Sequence, residues 1–583
     1  MALAVIAVAA LGLGQTAVAT AHSASTSQHL TLTGHFTPRA LVPGDAVAPS
    51  VEQIPPHSPL NKTLRHTSAA GTPNIAGNSI TSANSSTGWE GVSHFDQRNA
   101  GTGQYVNTQF SLEPPDQGLC VGNGNVVEPV NNALEIYTTT GTPLTNGNAA
   151  TRSIALSQFF GVAPEFVRPT GPFGPSIGDP KCYYDPSTNR FFLTELEFGV
   201  DPASGNFANT SSVLIAVTQT GDPLSTWNIY SFDTTDSGRN GCGCFGDQPL
   251  IGADANGFYI STNEYGISSS VYYGAQLYAI SKAAVAAGAS SPAVTHMDIA
   301  PNTISQGGLA YSVQPATSPN TGYATANNGT EYFVSTTDWS TGPAIGVRSN
   351  TIEVWALTNT ASLGTTTPQL GISNLALASE LYAQPPNAVQ APGPTPLATL
   401  LHDHLELIDS NDDRMNQVVY AGGQLWTAAN TAVKPPTGPT VVGIAYFVVT
   451  PSDPAGTLSA TISSQGYVGA SGENVMFPSI GVTAAGKAVM AFSLVGPDFH
   501  PSAAYTAIGA SPDSIHVSAL GAAPDDGFSG YKAEGGAGHG RWGDYSAAVA
   551  DTNGTIWMAN EYISGGARTL LANWTTFVSH ITP

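Results

Sequence analysis

One short pattern recurs along most of this 583-residue chain, and it constrains the fold more than any single residue does. A polar or proline-bearing start leads into a short apolar run, a Gly/Asn/Asp turn and a second alternating run. Copies begin at Pro114 (PPDQGLCVGNGNVVEPVNN), Ile177 (IGDPKCYYDPSTNRFFLTELE), Phe245 (FGDQPLIGADANGFYISTNEY), Ser312, Asn411, Val475 and Arg541 (RWGDYSAAVADTNGTIWMANEY). Each reads as a β-hairpin, because apolar side chains at every second position suit a strand with one buried face. Anchored on Asp116, Asp179, Asp247, Gln314, Asp413, Phe477 and Asp544, the copies lie 63 to 68 residues apart, apart from one step of 99 between Gln314 and Asp413. An ordinary step has room for four strands. Seven such units predict an all-β fold, a seven-bladed β-propeller of four-stranded antiparallel blades. A sandwich would not need seven similar hairpins at that spacing.

Only 10% of residues are charged, while glycine (63) and proline (42) are plentiful, which suits short strands and tight turns. After Asp544 just 39 residues remain, enough for the three strands SAAVAD, TIWMANEY and LANWTTFVSHI. The missing fourth is expected from Gln104–Phe110 (QYVNTQF), so that N- and C-terminal strands share one blade and leave no open edge. The long step carries a Pro-rich insertion at about 360–407, which either crosses the central opening or is a tolerated surface loop. Upstream, 22–103 is rich in Ser, Thr, Pro and Ala and reads as a linker or pro-region. Residues 1–21 are small and apolar and end in Ala19-Thr20-Ala21, as a signal peptide does. The expected organisation is therefore 1–21 signal peptide, 22–103 linker and 104–583 propeller, in a secreted monomer without a membrane span.

A net charge of −23 opposes binding to nucleic-acid phosphates or anionic membranes, so neither is an expected partner. Four cysteines, Cys120, Cys182, Cys242 and Cys244, fit disulfides in an oxidising compartment, with three pairings open. Zinc at Cys242-Gly-Cys244 is the rival, weakened by the lack of a second paired motif.

In such hairpins the second strand returns to the face where the first begins. That brings Asp116, Asp179, Asp247, Asp413 and Asp544 to one channel mouth with Lys181, Arg414 and Arg541. The strand ends Asn132, Glu197, Glu264, Asn430 and Glu561 arrive on the same face. Acids with a few cations can form a paired-carboxylate catalyst or a metal site. The acid–base candidates are Asp179, Asp247, Glu264, Asp544 and Glu561, with Arg414, Arg541 and Lys181 as substrate-binding cations. An Asp at a strand start also commonly fixes a turn through nearby N–H groups. The run HDHLELIDSNDDR (His402 to Arg414) offers His402 and His404 and the acids Asp409, Asp412 and Asp413. For Asp412 and Asp413 the hard oxygen ligands suit Ca2+ better than zinc.

At these motifs the chain resembles secreted bacterial sialidase-like (BNR-type) β-propeller proteins. The resemblance rests on PPDQGLCVG, DPKCYYDPSTNRFF, AVTQTGDPLSTWNIY, DDRMNQ and RWGDYSA, and it extends from about Phe95 to the C-terminus. It implies a propeller and export, and it brings no agreed activity. The sialidase pattern itself is poorly met: TQTGDPLSTW keeps Asp222 and Thr226-Trp227 at altered spacing, and Arg168-Pro169 precedes a blade. Sialidase activity is not expected. The expected function is action on, or binding of, an extracellular carbohydrate at the channel mouth, as a glycosidase or polysaccharide lyase. The alternative is a non-catalytic extracellular protein that binds a glycan or protein ligand on the same face.

Overall fold

The computed structural model describes residues 15–16, 26–38, 52–56, 73–81, 86–235, 243–267, 271–299, 309–337, 349–405, 407–509, 514–566 and 568–583. The chain is mostly β, in many antiparallel sheets. Four-stranded meanders follow one another along it. The first comprises Cys120–Gly122, Asn125–Val130, Ala133–Thr138 and Ile154–Ala155. The second runs from Ser176–Asp185 to Trp227–Asp233, the third from Cys244–Ala253 to Ala293–Ile299 and the fourth from Tyr311–Thr317 to Gly371–Tyr382. The fifth runs from Met415–Ala421 to Ser459–Val468 and the sixth from Asn474–Val482 to Ile515–Ala519. The seventh contributes Ala547–Ala550, Ile556–Tyr562 and Thr575–Ile581.

The first strand of each meander touches the first strand of the next, and that of the seventh touches that of the first. Apolar cores fill the gaps between neighbouring sheets. Phe192 stacks on Phe258 between the second and third meanders, with ring centres 4.9 Å apart. Val126 and Tyr137 meet Trp557 and Val578 between the first and seventh, which completes the circle. Burying both faces explains why many strands are apolar at nearly every position.

Thr87–Ser93, antiparallel to Thr575–Ile581, supplies the fourth strand of the seventh meander. A strand from the N-terminal side does close the last sheet, but from further upstream than Gln104–Phe110. That expected segment instead holds the 3-10 turn Gly103–Tyr105 and irregular chain. Upstream, Thr26–His29 and Thr31–Phe36 pair with the outer strands of the third and second meanders, and Ile80–Thr81 with the sixth. These parts of 22–103 cover sheet edges, which would otherwise be free to pair with other chains. The expected signal peptide lies outside the described residues except for Gln15–Thr16, which pair with Ala460 and Ser459. Among the described residues no helix is long and apolar enough to cross a membrane.

Gly371–Tyr382, inside the expected insertion, is the fourth strand of its meander. The extra chain starts after it, and together with the segment beyond Ala519 it builds a cap. Ala388–Val389, Leu407–Ile408 and His539–Gly540 form a small sheet beside the helix Pro396–Leu401. Leu397, Leu405, Phe528, Tyr531 and Trp542 form its buried core, which includes Phe477 of the sixth meander. Asp526 ties the two segments together: it accepts from Leu397 N and Ala398 N and pairs with Arg568 at 2.9 Å.

Cys120 and Cys182 form a disulfide between the first strands of the first and second meanders. Cys244 is also disulfide-bonded, so it is no thiolate for zinc, while Cys242 lies outside the described residues.

Candidate functional site

The first strands are interrupted at matching places. Pairing slips between Gly178 and Lys181, Asp247 and Leu250, Tyr311 and Gln314, and Met476 and Ser479. In each slip one residue takes a left-handed backbone: Asp179 (φ 56), Gln248 (φ 53), Ser312 (φ 46) and Phe477 (φ 58). Proline follows three of them, at Pro180, Pro249 and Pro478; lacking an N–H, it cannot continue the ladder. Non-glycine residues at positive φ persist only where their surroundings hold them. At three of the four the holder is an asparagine on, or just after, the preceding meander's second strand. Asp179 N donates to Asn131 Oδ1 at 2.8 Å, Ser312 N to Asn263 Oδ1 at 2.9 Å and Phe477 N to Asn430 Oδ1 at 2.7 Å.

From its bulge Asp179 meets Asp116 and Asp544, which precede the first strands of the first and seventh meanders, with one carboxylate oxygen of each within 4.8 Å of the others. Asp544 reaches across the circle, accepting from Gln248 Nε2 at 3.0 Å and Asn411 Nδ2 at 2.8 Å. Asp116 accepts from Asn131 Nδ2 and from Asp544 N, both at 2.8 Å. Asp179 is only partly buried, and among the described residues its carboxylate accepts no hydrogen bond. Arg541 stands at the rim, 46% exposed, with its guanidinium 3.4 Å from Asp544. His539 and Asp409, half-buried beside it, lie 3.6 Å apart. Lys181 tucks underneath, its Nζ 2.9 Å from the centre of the Tyr545 ring.

Burial and then the nearby Asp544 push Asp116 up to about 6. Burial and the neighbours Asp116 and Asp247 hold Asp179 well above the usual carboxylate range, against the opposing pull of Lys181. Burial brings Lys181 down to about 8, although Asp179 and Asp116 favour its charged form. Carboxylates this close cannot all ionise cheaply, so the group retains a proton near neutral pH. Three acids offer hard oxygen ligands of the kind Ca2+ takes. Lys181 and Arg541, however, already supply two positive charges beside them, and Asp116 and Asp544 are engaged with amide donors. The set suits proton exchange better than cation binding.

Of the expected acids, Asp179 and Asp544 thus converge, and they do so with Asp116. Asp247 sits one residue before its bulge, where Gln248 holds the place equivalent to Asp179; it is near enough to act electrostatically on Asp179. Glu264 and Glu561 do not meet as a pair. Glu264 is buried and accepts from Gln276 at 2.7 Å. Glu561 accepts from Gly543 N at 2.7 Å, and the acids acting on it are Asp525, Asp116 and Glu113. In the NE pairs of the second strands, the asparagine matters to the bulge at Ser312: Asn263, beside Glu264, carries the contact.

Arg414 is no substrate clamp in this arrangement. It is buried and held by Asp412 through Nε at 2.6 Å and Nη2 at 2.7 Å, with Tyr311 donating to the same carboxylate. Asp412 is thereby committed to an ion pair instead of a metal. Asp413 is buried, and Gln384 Nε2 donates to it at 3.5 Å. Neither belongs to the carboxylate trio, and His402 and His404 are exposed loop residues outside it. Sequence reasoning missed Glu195, a buried acid near Asp179; its signal was the polar pair Thr194-Glu195 directly after the apolar run 191–193.

No protein-family model matches the chain, and no curated protein matches it. Solved structures similar to it include a Trypanosoma rangeli sialidase in complex with sialic acid, at 11% identity and TM-score 0.31, covering 69% of this chain and 54% of that one. An endo-arabinase from Bacteroides thetaiotaomicron is similar at 12% identity and TM-score 0.28, covering 68% and 92%. An α-L-arabinofuranosidase from Lactobacillus brevis is similar at 9% identity and TM-score 0.28, covering 69% and 93%.

Proposed function

We propose that this chain is a secreted, monomeric seven-bladed β-propeller that cleaves an extracellular carbohydrate at the acid-lined mouth of its channel. The reaction would be that of a glycoside hydrolase or lyase, with Asp179 as the group that gives and takes the proton. In this reading the seven meanders are the blades, and residues 1–21 are the export signal.

One observation carries the proposal: Asp179 is a partly exposed carboxyl without a hydrogen-bond partner among the described residues, beside two others within 4.8 Å. Its proton is held by burial and by Asp116 and Asp247. Such spacing is nearer to the roughly 5–5.5 Å of a retaining pair than to the roughly 6.5–9.5 Å that leaves room for an attacking water. Asp116 would be the second carboxylate. Asp544, fixed by Gln248 and Asn411, would hold Arg541 at the rim, where the guanidinium can donate to substrate oxygens.

A second reading is favoured by the same bonds seen from the other side. Asp116 and Asp544 both serve as struts between meanders, which suits a non-catalytic protein that binds a glycan or protein on this face. Asp179→Asn separates the two. Incubated with a panel of plant, microbial and animal polysaccharides, the wild type is expected to release reducing or unsaturated ends, and the variant to lose at least ~100-fold of that rate while melting normally. Glycan binding by both proteins with turnover by neither would support the second reading. Undiminished turnover by the variant would remove Asp179 from the chemistry.

A further inference from the structure

Behind Asp179, on the side away from the rim, lies a set of buried polar groups that the proposed chemistry does not use. Lys181 follows Asp179 on the same strand, after the bulge at Pro180. Its ammonium is buried and, among the described residues, makes no hydrogen bond or ion pair. It rests on the face of Tyr545, with Nζ 2.9 Å from the ring centre. Thr194 faces Lys181 across the strand pair, and Glu195 comes next. Glu195 is fully buried, and neither of its carboxylate oxygens meets a donor. The Thr194 hydroxyl and the amide oxygen of Asn132 are equally without partners. Lys181 and Glu195 act on each other electrostatically; Lys181 also acts on Asp179, and Asp179 on Glu195.

An unpaired buried polar group is destabilising, and an unpaired charge more so. Natural folds rarely leave several such groups together, and they hydrate polar interiors of this kind. A lysine that only braced the sheet would end on carbonyl oxygens, and one that only bound substrate would have an exposed ammonium. Lys181 does neither.

We infer that Lys181 is a positioning residue that fixes the charge on Asp179 from behind, and that Glu195 holds Lys181 in place through bound water. This rests on the reading of Asp179 as the proton-exchanging group, and it replaces the sequence-based expectation that Lys181 contacts substrate. A cation behind the carboxylate stabilises the charge left when Asp179 gives up its proton, while the Tyr545 ring keeps the ammonium from folding out to solvent. Glu195 supplies the opposite charge across the same water.

The chain has six lysines, Lys62, Lys181, Lys282, Lys434, Lys487 and Lys532, so lysine labelled with 13C at Cε gives six NMR signals. The signal lost in Lys181→Met identifies Lys181. In the wild type it is expected to titrate near 8, and Glu195→Gln is expected to move that midpoint lower, since an anion is removed. A Lys181 midpoint shared with the exposed lysines and unmoved by Glu195→Gln would overturn the pairing, whatever Asp179 does. This titration needs no activity, so it stands or falls separately from the proposed reaction.

In turnover, losing the cation makes Asp179 hold its proton more tightly. The alkaline limb of the rate profile is then expected to move up by about one pH unit or more in Lys181→Met with KM unchanged, and Lys181→Arg to restore it. A raised KM with an unmoved profile would assign Lys181 to substrate binding and overturn the inference. Lys181→Gln provides the same reading should the methionine variant fail to fold.

Discussion

The backbone N–H of Asp544 donates to the Asp116 carboxylate at 2.8 Å, across 428 residues of sequence. The same carboxylate accepts from the Asn131 amide, whose oxygen in turn takes the Asp179 N–H. Two side chains, Asp116 and Asn131, therefore link the seventh, first and second meanders at the point where the circle closes. That link is also why three acids stand so near one another: the strut and the candidate site are the same atoms.

Asp116→Ala would leave the Asp544 N–H and the Asn131 amide without their acceptor in a buried setting. At about 1–3 kcal/mol for each stranded donor, the unfolding free energy measured in urea is expected to fall by roughly 2–6 kcal/mol. Asp116→Asn keeps an acceptor oxygen and should cost less. A change within about 0.5 kcal/mol for the alanine variant would mean that apolar packing around Trp557 and Val578 closes the circle unaided.

Asn430 provides an independent test of the struts, away from the acids. Its amide oxygen holds the N–H of Phe477 at 2.7 Å, and its NH2 group donates to Ser410 O at 2.8 Å. Phe477 has φ 58, a conformation that a bulky residue adopts at a cost of about 1–3 kcal/mol. Asn430→Ala is expected to destabilise the fold by roughly 2–3 kcal/mol and to raise hydrogen exchange at the sixth meander's first strand and in the cap, where Phe477 packs. Exchange unchanged at both places would show that the bulge holds itself.

These struts also mark where the sequence was legible and where it was not. Hairpin periodicity showed the repeat because apolar alternation is written in side-chain type. The bulge is a property of backbone φ and carries no fixed residue: Asp179, Gln248, Ser312 and Phe477 share it with nothing in common chemically. The anchors therefore fell on the bulge residue at Asp179 and Phe477, one place early at Asp247 and two places late at Gln314. The proline that follows three of the four was the better marker. The closing strand Thr87–Ser93 was hidden because TGWEGVS sits in a segment dominated by Ser, Thr and Ala. Arg414 looked available because a sequence cannot show that Asp412, two residues away, folds back to occupy it.

The last expectation concerns pH, and it follows from acids buried between meanders. Burial, resisted by hydrogen bonds from Thr576, Tyr137 and Val92, raises Glu128 to about 7. Burial and the nearby Asp96 raise Glu135 to about 8. Burial, resisted by donors at Phe110 and Asn132, raises Glu165 to about 7. In the unfolded chain each would titrate near its ordinary value of 4.5, so between about pH 4.5 and 8 the folded state binds more protons than the unfolded one. The stability these three acids contribute then decreases with rising pH: it is full below the unfolded value and is lost as pH passes through the folded values. The melting temperature is expected to be higher at pH 5 than at pH 8 in buffers of equal ionic strength. Glu135→Gln, which cannot ionise, should flatten the upper part of that slope while still accepting from Ser153, which donates to Glu135 at 2.8 Å in the wild type. A melting temperature that rises from pH 5 to 8 would show that these carboxyls gain water or partners on ionising, and would place the acids in a wetter setting than their burial implies.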